Sequence, residues 1–336
     1  MTLLIALLIF SALIFIHELG HFLVAKRVGI AVHEFSIGMG PVIFATQKDG
    51  TQYSLRAFPI GGFVRMAGMD PEEADHPEGF NRKSVGQRMA VIFAGPFMNF
   101  LLSLLLFVFV FMVIGTPSHS NVVGGVIPGR PADKAGIQKG DRIIAINGQK
   151  VNDWDDLVNI IYQNPGQSLR ITVLRNGNRI EKTVTPELDP EANVGLIGIK
   201  QAWEKQGFIS SIILGLKQAY AVTVVILTTL ILMITGQVPP EIAGPVGVVQ
   251  MIGQAARSGT AIVLNFAGIL SLHLGLLNLF PIPALDGSRL VFLAIEGLRG
   301  KPLNREKENF IHLIGFALLM ILMIIITYRD ILRILG

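Results

Sequence analysis

Five apolar stretches of this chain are each long enough to cross the hydrocarbon core of a membrane. They lie at about residues 2–25, 89–115, 208–235, 261–285 and 308–328, and about 20 helical residues span the roughly 30 Å of hydrocarbon. Hydrophobic residues make up 51% of the chain and charged residues only 15%, a balance that is not typical of a soluble protein. We therefore predict a polytopic α-helical membrane protein that carries an inserted soluble domain.

The first apolar stretch contains three ionisable side chains, all in the run His17-Glu18-Leu19-Gly20-His21. Because residues i and i+4 lie on one face of a helix, His17 and His21 can bind the same metal ion. Glu18 lies beside them and can take a proton from an activated water, as in HExxH zinc sites. Ionisable groups at membrane depth are costly, so the run predicts a metal-dependent hydrolytic site within the bilayer.

A catalytic zinc ion usually has three protein ligands, and the chain has no cysteine to supply one. The candidate for the third ligand is Asp286, which follows the fourth apolar stretch. Pro281 and Pro283 break the helix before it and leave a carboxylate at the inner end of that stretch.

The distribution of Lys and Arg predicts the orientation of the helices. Both residue types are concentrated after the first apolar stretch and before the last one, which places these connections in the cytoplasm and residues 119–200 outside. The first and fourth stretches then run in the same direction, so an even number of crossings must separate the outer domain from residue 261. We predict about four transmembrane helices, with 208–235 lying in the interface, packing as a non-spanning helix or forming a hairpin.

Residues 31–66 predict a membrane-associated β region. Glycine and proline interrupt any helix there, and Lys48-Asp49-Gly50 is a hairpin turn signal between β-prone runs. An exposed strand edge in this region can bind an extended peptide by strand addition.

Residues 119–187 have the element order of a small α+β domain. A strand, a short helix and a second strand lead to the turn Asn147-Gly148, and the helix Trp154–Tyr162 precedes a hairpin across Asn176-Gly177. This order resembles a circularly permuted PDZ domain, which binds peptide ends or extended segments; a structural cap without a ligand is the alternative. The predicted divisions are an N-terminal membrane part, the PDZ-like domain, a linker with a membrane-associated helix, and a C-terminal membrane part, at 1–118, 119–187, 188–260 and 261–336.

The combined motifs resemble the site-2 protease family, in particular the bacterial RseP-type intramembrane proteases. The resemblance covers essentially the whole chain and includes HELGH, the run Asn278–Gly287, Gly95–Asn99, and Gly244–Gly247. It implies that Zn²⁺ is bound by His17, His21 and Asp286, that Glu18 is the general base, and that Asn278 contacts the substrate. We also expect a group of turn-forming residues to contact the substrate: Pro281, Pro283, Gly38 and Gly40. Gly95 and Asn99 fit either substrate contact or close helix packing.

The resemblance implies an endopeptidase that cuts the transmembrane segments of single-pass proteins, such as anti-sigma factors or remnant signal peptides. Its expected place is the bacterial inner (cytoplasmic) membrane, with the PDZ-like domain on the extracytoplasmic side. The expected partners are these substrates, a peptide segment or C-terminus at the PDZ-like domain, and membrane lipid, but no nucleic acid. Some members of the family have two tandem PDZ domains, whereas this chain has room for one.

Two other classes of function remain open from the sequence. The first is a transporter that uses the intramembrane carboxylates for protons or metal ions. The second is a membrane scaffold in which the PDZ-like domain is the active part and the metal site is not catalytic.

Overall fold

The computed structural model describes residues 2–69, 71–73, 75–239 and 243–335 of the 336-residue chain. The chain divides into two compact units. The first consists of Met1–Phe109 together with Ser211–Gly336, and the second of Val110–Ser210.

The helices follow one another along the chain as α1 (Thr2–Arg27), α2 (Val85–Phe109, continued by the π-helical turn Val110–Ile114), α3 (Pro131–Lys134), α4 (Trp154–Tyr162), α5 (Phe208–Ile234), α6 (Pro245–Ser258), α7 (Thr260–Leu279), α8 (Asp286–Arg299) and α9 (Arg305–Leu335). In the described part of the chain, five helices are long and apolar enough to cross a membrane: α1, α2 with its π-helical turn, α5, α7 and α9. These are the five apolar stretches found in the sequence, and the chain is a multi-pass membrane protein.

Helix α5 is continuous from Phe208 to Ile234, so the hairpin that was one of three predictions for 208–235 is wrong. The stretch contains no proline, and its one glycine, Gly215, does not bend the chain. Instead, Gly215 lets α5 approach α2, since a Cβ there would lie 3.1 Å from Val108 and 3.2 Å from Leu104. Helices α6 and α8 were not distinguished in the sequence, because each has only 14 residues and adjoins a longer apolar stretch.

Small residues of α7 set its packing against α2. Gly268 lies against the ring of Phe107, and Gly275 lies against the carbonyl of Pro96, which a Cβ would approach to 3.1 Å. The residue number rises along α7 as it falls along α2, so the two helices are antiparallel.

Helix α1 is antiparallel to α2 in the same way. His17 is in contact with Asn99, whereas His21 is in contact with Val91 one turn further along. Helices α1 and α7 therefore run in the same direction, and this direction brings the second half of α1 and the C-terminal end of α7 to the same end of the helix bundle.

The β region is a long hairpin of β1 (Val32–Lys48) and β2 (Thr51–Met66). Its turn has positive φ at Asp49 (49°) and Gly50 (75°), as two-residue hairpin turns require. Both strands are bent, so residues 34–37 pair with 62–65 on one side and with 52–55 on the other. In the described part of the chain, no further strand pairs with the outer side of 62–65, which leaves a strand edge there.

The second unit is built around a four-stranded antiparallel sheet of order β6-β5-β7-β8. Its strands are β3 (Thr116–Pro117), β4 (Val123–Val126), β5 (Arg142–Ile146), β6 (Gln149–Lys150), β7 (Leu169–Arg175), β8 (Asn178–Val184), β9 (Glu187–Asp189), β10 (Val194–Leu196), β11 (Ile199–Gln201) and β12 (Trp203–Glu204). The predicted turns at Asn147-Gly148 and Asn176-Gly177 both have positive φ at their two residues.

The structure extends this unit beyond the predicted boundaries of 119 and 187. Strand β11 pairs with β4, and β12 pairs with β3. These strands have two to four residues and too little alternation to be recognised from the sequence. Each forms because it pairs with a strand that is distant in the chain.

Candidate metal centre

Three predicted ligands meet in the first unit. His17 and His21 lie one turn apart on the buried face of α1, with 8% and 6% of their surfaces exposed and their Nε2 atoms 3.2 Å apart. Asp286 is the first residue of α8, and its Oδ2 lies 3.1 Å from Nε2 of His17 and 3.3 Å from Nε2 of His21. Among the described residues, these three form a group whose ligand atoms can hold one metal ion.

The geometry of this group fits a zinc ion. Bonds of about 2.0–2.1 Å in a tetrahedral site place neighbouring ligand atoms roughly 3.3 Å apart, and the three atoms form a triangle with edges of 3.1, 3.2 and 3.3 Å. Oδ2 of Asp286 is buried and has no hydrogen-bond partner. A buried carboxylate oxygen is costly unless a cation or a donor compensates for its lost hydration, and a metal ion bound by the three residues supplies this compensation.

Both imidazoles have a partner for the nitrogen that faces away from the group. Nδ1 of His21 lies 2.8 Å from the carbonyl oxygen of Val91, and Nδ1 of His17 lies 3.2 Å from the side-chain amide of Asn99. A metal-binding histidine usually donates its other N–H to such a partner, which sets its tautomer and orientation. The amide group of Asn99 can accept this proton through its oxygen in one of its two orientations. Asn99, which is fully buried, is therefore placed to orient the predicted ligand His17.

Helix α2 approaches the two histidines at Gly95. A Cβ there would lie 2.6 Å from Cε1 of His21 and 2.8 Å from Cε1 of His17, and still closer to Nε2 of His21. Only glycine leaves room for both rings, so the helix contact at this position also shapes the metal centre.

The sequence after α7 explains how Asp286 reaches the histidines. Helix α7 ends at Leu279, as Pro281 and Pro283 predicted, and α8 begins at Asp286. A Cβ on Gly287 would collide with the carbonyl groups of Leu279 and Phe280. Glycine at this position therefore lets the start of α8 pack against the end of α7.

The three ligand side chains line a cavity of about 850 Å³. Glu18 and Asn278 also line it, as do residues 63–66 of β2, which include most of the open edge. The backbone amide of Val64 faces the Glu18 carboxylate, so the strand edge and the candidate base are adjacent.

Four of the residues expected to contact substrate are not among those that line this cavity. Gly38 and Gly40, each with φ of 85°, pack against Phe58 in the bend of β1. Pro281 and Pro283 lie in the loop before Asp286. The structure thus brings Asn278 to the metal centre but not these glycines and prolines.

A partly buried ion pair lies beside the β2 edge. Nη2 of Arg56 lies 2.6 Å from Oε1 of Glu34, and its Nη1 donates to the carbonyl oxygen of Gly40 at 2.8 Å. Burial alone raises the pKa of Glu34, but hydrogen bonds from Ser54 and Arg56 outweigh it and lower the pKa below the usual range. The guanidinium also lies 5.1 Å from the ring centre of Phe63, which is one of the residues at the cavity.

The model of peptidase family M50 matches residues 5–322 of the chain. The zinc metalloprotease RasP of Geobacillus kaustophilus is 38% identical over 97% of this chain and 96% of its own length. The regulator of sigma-W protease RasP of Bacillus subtilis is 35% identical over 99% of this chain and 98% of its own. The solved PDZ domain of the SdrC-like protein Lin2157 from Listeria innocua is 24% identical, covering 25% of this chain and 96% of that one with a TM-score of 0.23.

The match to the family model extends from the first helix to the last and includes both parts of the metal centre. The ligands come from helices at opposite ends of the chain, with the candidate base in the same cavity. On this combined ground, the chain belongs to peptidase family M50, the site-2 proteases, and is a zinc metalloendopeptidase.

Proposed function

We propose that this zinc metalloendopeptidase cuts the transmembrane segments of single-pass membrane proteins in regulated intramembrane proteolysis. One observation carries the proposal. The ligand triangle of His17, His21 and Asp286 lies with Glu18 in one cavity, next to a strand edge, and the two histidines are on a helix of membrane-spanning length. A substrate that reaches this cavity is thus expected to come from the bilayer.

In this proposal, His17, His21 and Asp286 hold the zinc ion, which when bound lowers the pKa of water and polarises the scissile carbonyl. Glu18 takes the proton from the attacking water and passes it to the leaving amide nitrogen. Asn278 lines the cavity and is a hydrogen-bonding group for the substrate backbone.

We propose that the substrate binds as an added strand at the open edge of residues 62–65. A transmembrane helix hides its peptide bonds in its own hydrogen bonds, so it must unwind before cleavage. An open strand edge can pair with the unwound backbone, and Arg56 holds this edge in place through Glu34 and Phe63. The adjacency of Val64 and Glu18 supports this arrangement, because it brings a paired substrate strand next to the candidate base.

The shared direction of α1 and α7 supports a topology in which α5 does not cross the membrane. If α1, α2 and α7 cross the membrane, the end of α2 and the start of α7 lie on the same side of it. An even number of crossings must then lie between these two points. Helix α6 has 14 residues, about 21 Å, which is too short to return across the roughly 30 Å core. We therefore propose four crossing helices in the bacterial inner membrane, with the PDZ-like unit on the extracytoplasmic side.

Single-cysteine labelling tests this topology without background, because the chain has no cysteine. A Gln237→Cys variant, just past α5, is expected to react with an impermeant maleimide in intact cells. Ser168→Cys is the extracytoplasmic control and Lys301→Cys the cytoplasmic control. Labelling of Gln237→Cys only after permeabilisation would refute the proposed topology.

The proposed substrates are anti-sigma-factor-like proteins or remnant signal peptides. The name of the Bacillus subtilis relative, regulator of sigma-W protease, supports the first group. The PDZ-like unit either hinders untrimmed substrates or binds a peptide segment or new C-terminus.

The test of the proposed function is cleavage of a model transmembrane peptide by the purified protein in detergent. We expect products with wild type, none with a zinc chelator, recovery on adding Zn²⁺, and none with Glu18→Gln. Cleavage that survives both the chelator and Glu18→Gln would contradict the proposal. Ion flux in liposomes without peptide products would favour a transporter, and full complementation by His17→Ala would favour a scaffold.

A further inference from the structure

Helix α9 contacts the loop before Asp286 at two points. The backbone N–H of Ala284 donates to Nδ1 of His312, with 3.0 Å between the two nitrogens. Three residues before Asp286, Pro283 packs on Gly315, where a Cβ would lie 2.7 Å from the Pro283 backbone. We propose that His312 is a positioning residue of the metal centre, which holds this loop so that Asp286 faces the two histidines.

The backbone of the loop needs such a support. Ala284 has a φ of 78°, in the left-handed region, which is unfavourable for a residue with a Cβ. A conformation of this kind persists only where its surroundings hold it. Ala284 lies two residues before Asp286, so a change in this turn redirects the start of α8 and the carboxylate with it.

His312 is itself held in one orientation. The ring of Phe292, on α8, packs edge-on against it, with centroids 5.8 Å apart and planes at 85°. Because Nδ1 accepts the N–H of Ala284, the proton of the neutral ring is on Nε2. His312 thus connects α9 to both the loop and α8.

The expected consequence of losing this support is weaker metal binding with all three ligands still present. Groups that orient metal ligands typically account for a 10–100-fold difference in metal affinity. The inference rests on the proposed ligand set, and it adds α9 to the elements that build the metal centre.

The test compares two variants of similar size in the purified full-length protein. In His312→Asn, Oδ1 takes the position of Nδ1 and can accept the Ala284 N–H, whereas His312→Leu has no acceptor. Zn²⁺ affinity is measured by competition with a chromophoric chelator, and the absorption spectrum of bound Co²⁺ reports the ligand geometry. We expect His312→Leu to bind Zn²⁺ about 10- to 100-fold more weakly with an altered Co²⁺ spectrum, and His312→Asn to restore both.

Two further variants separate this inference from the proposed ligand set. His273→Leu is the matched control, since Nδ1 of His273 contacts the carbonyl of Ile269 in its own helix, at 3.2 Å; we expect no change. His17→Ala is the reference for a lost ligand. If His17→Ala leaves Zn²⁺ affinity unchanged, the ligand set is wrong. If His17→Ala weakens binding but His312→Leu does not, or if His312→Asn is as weak as His312→Leu, the positioning role of His312 is refuted.

Discussion

Replacement of Gly95 by alanine is expected to disable the metal centre without unfolding the protein. The new Cβ would lie 2.6 Å from Cε1 of His21 and 2.8 Å from Cε1 of His17, whereas ordinary contact begins at 3.4 Å. The rings must therefore withdraw by at least about 0.6 to 0.8 Å, several times the roughly 0.2 Å within which metal–ligand distances hold. Neither ring can withdraw freely, because Nδ1 of His21 is bonded to Val91 and that of His17 to Asn99.

The expected magnitude follows from this displacement. A misplacement of about 1 Å in a catalytic group can reduce the rate by 100-fold, and here two ligands move. We expect Gly95→Ala to lose about 100-fold in cleavage rate and to retain substoichiometric zinc after dialysis. We do not expect the substitution to destabilise α2, since alanine favours a helix over glycine by about 1 kcal/mol.

Gly86 provides the matched control on the same helix. It is exposed, and a Cβ there would meet nothing within 4 Å, so Gly86→Ala should keep full zinc content and cleavage. Zinc per protein is measured by elemental analysis, and cleavage with the model transmembrane peptide. Equal zinc content and equal cleavage in Gly95→Ala and Gly86→Ala would show that the reasoning about the ring contacts is wrong.

Three further predictions address other parts of the chain. Gly287→Ala should lower zinc affinity, measured by chelator competition, because its Cβ would collide with the carbonyls at the end of α7 and push Asp286 away. Asn278→Ala should reduce cleavage of the model peptide about tenfold, as for a lost hydrogen bond of roughly 1.4 kcal/mol, while zinc content stays the same; a parallel loss of zinc would contradict a role in substrate binding. Burial alone raises the pKa of Asp141, but hydrogen bonds from Arg175 and a backbone N–H outweigh burial and lower the pKa. The contribution of the Asp141 carboxylate to stability is therefore complete above the ordinary aspartate pKa of about 3.9, and it is lost as the pH falls through the lowered pKa. Asp141→Asn should therefore destabilise the second unit by about 1–3 kcal/mol at pH 7, and the difference from wild type should be smaller in acid. Unfolding is measured by the fluorescence of the two tryptophans, which both lie in that unit. A stability difference that does not change with pH would refute the role of the ion pair.

Local patterns in the sequence predicted local structure well. Apolar stretches predicted the five long helices, because length and hydropathy alone identify them. The turns at Asp49-Gly50, Asn147-Gly148 and Asn176-Gly177 were predicted because positive φ at two successive residues restricts the residue types. The spacing of His17 and His21 placed both on one face of α1, because the helical repeat is fixed.

Elements that depend on distant partners were missed or misjudged. Strands β11 and β12 form only because β4 and β3 offer them an edge, so the PDZ-like unit extends further than its own pattern indicates. Helix α8 was not distinguished, because its 14 residues follow a proline-containing loop and have no apolar stretch of their own.

The sequence by itself determined the membrane class, the histidine pair with its adjacent glutamate, and the identity of Asp286 as the third candidate ligand. These follow from hydropathy, helical periodicity and the chemistry of the available side chains. Only the tertiary structure decided that Gly95 makes room for the imidazoles, that Asn99 contacts His17, and that His312 contacts the loop before Asp286. The reason is physical: each of these contacts joins residues far apart in the chain, and its existence depends on how closely two helices approach, a distance that no local pattern of residues encodes.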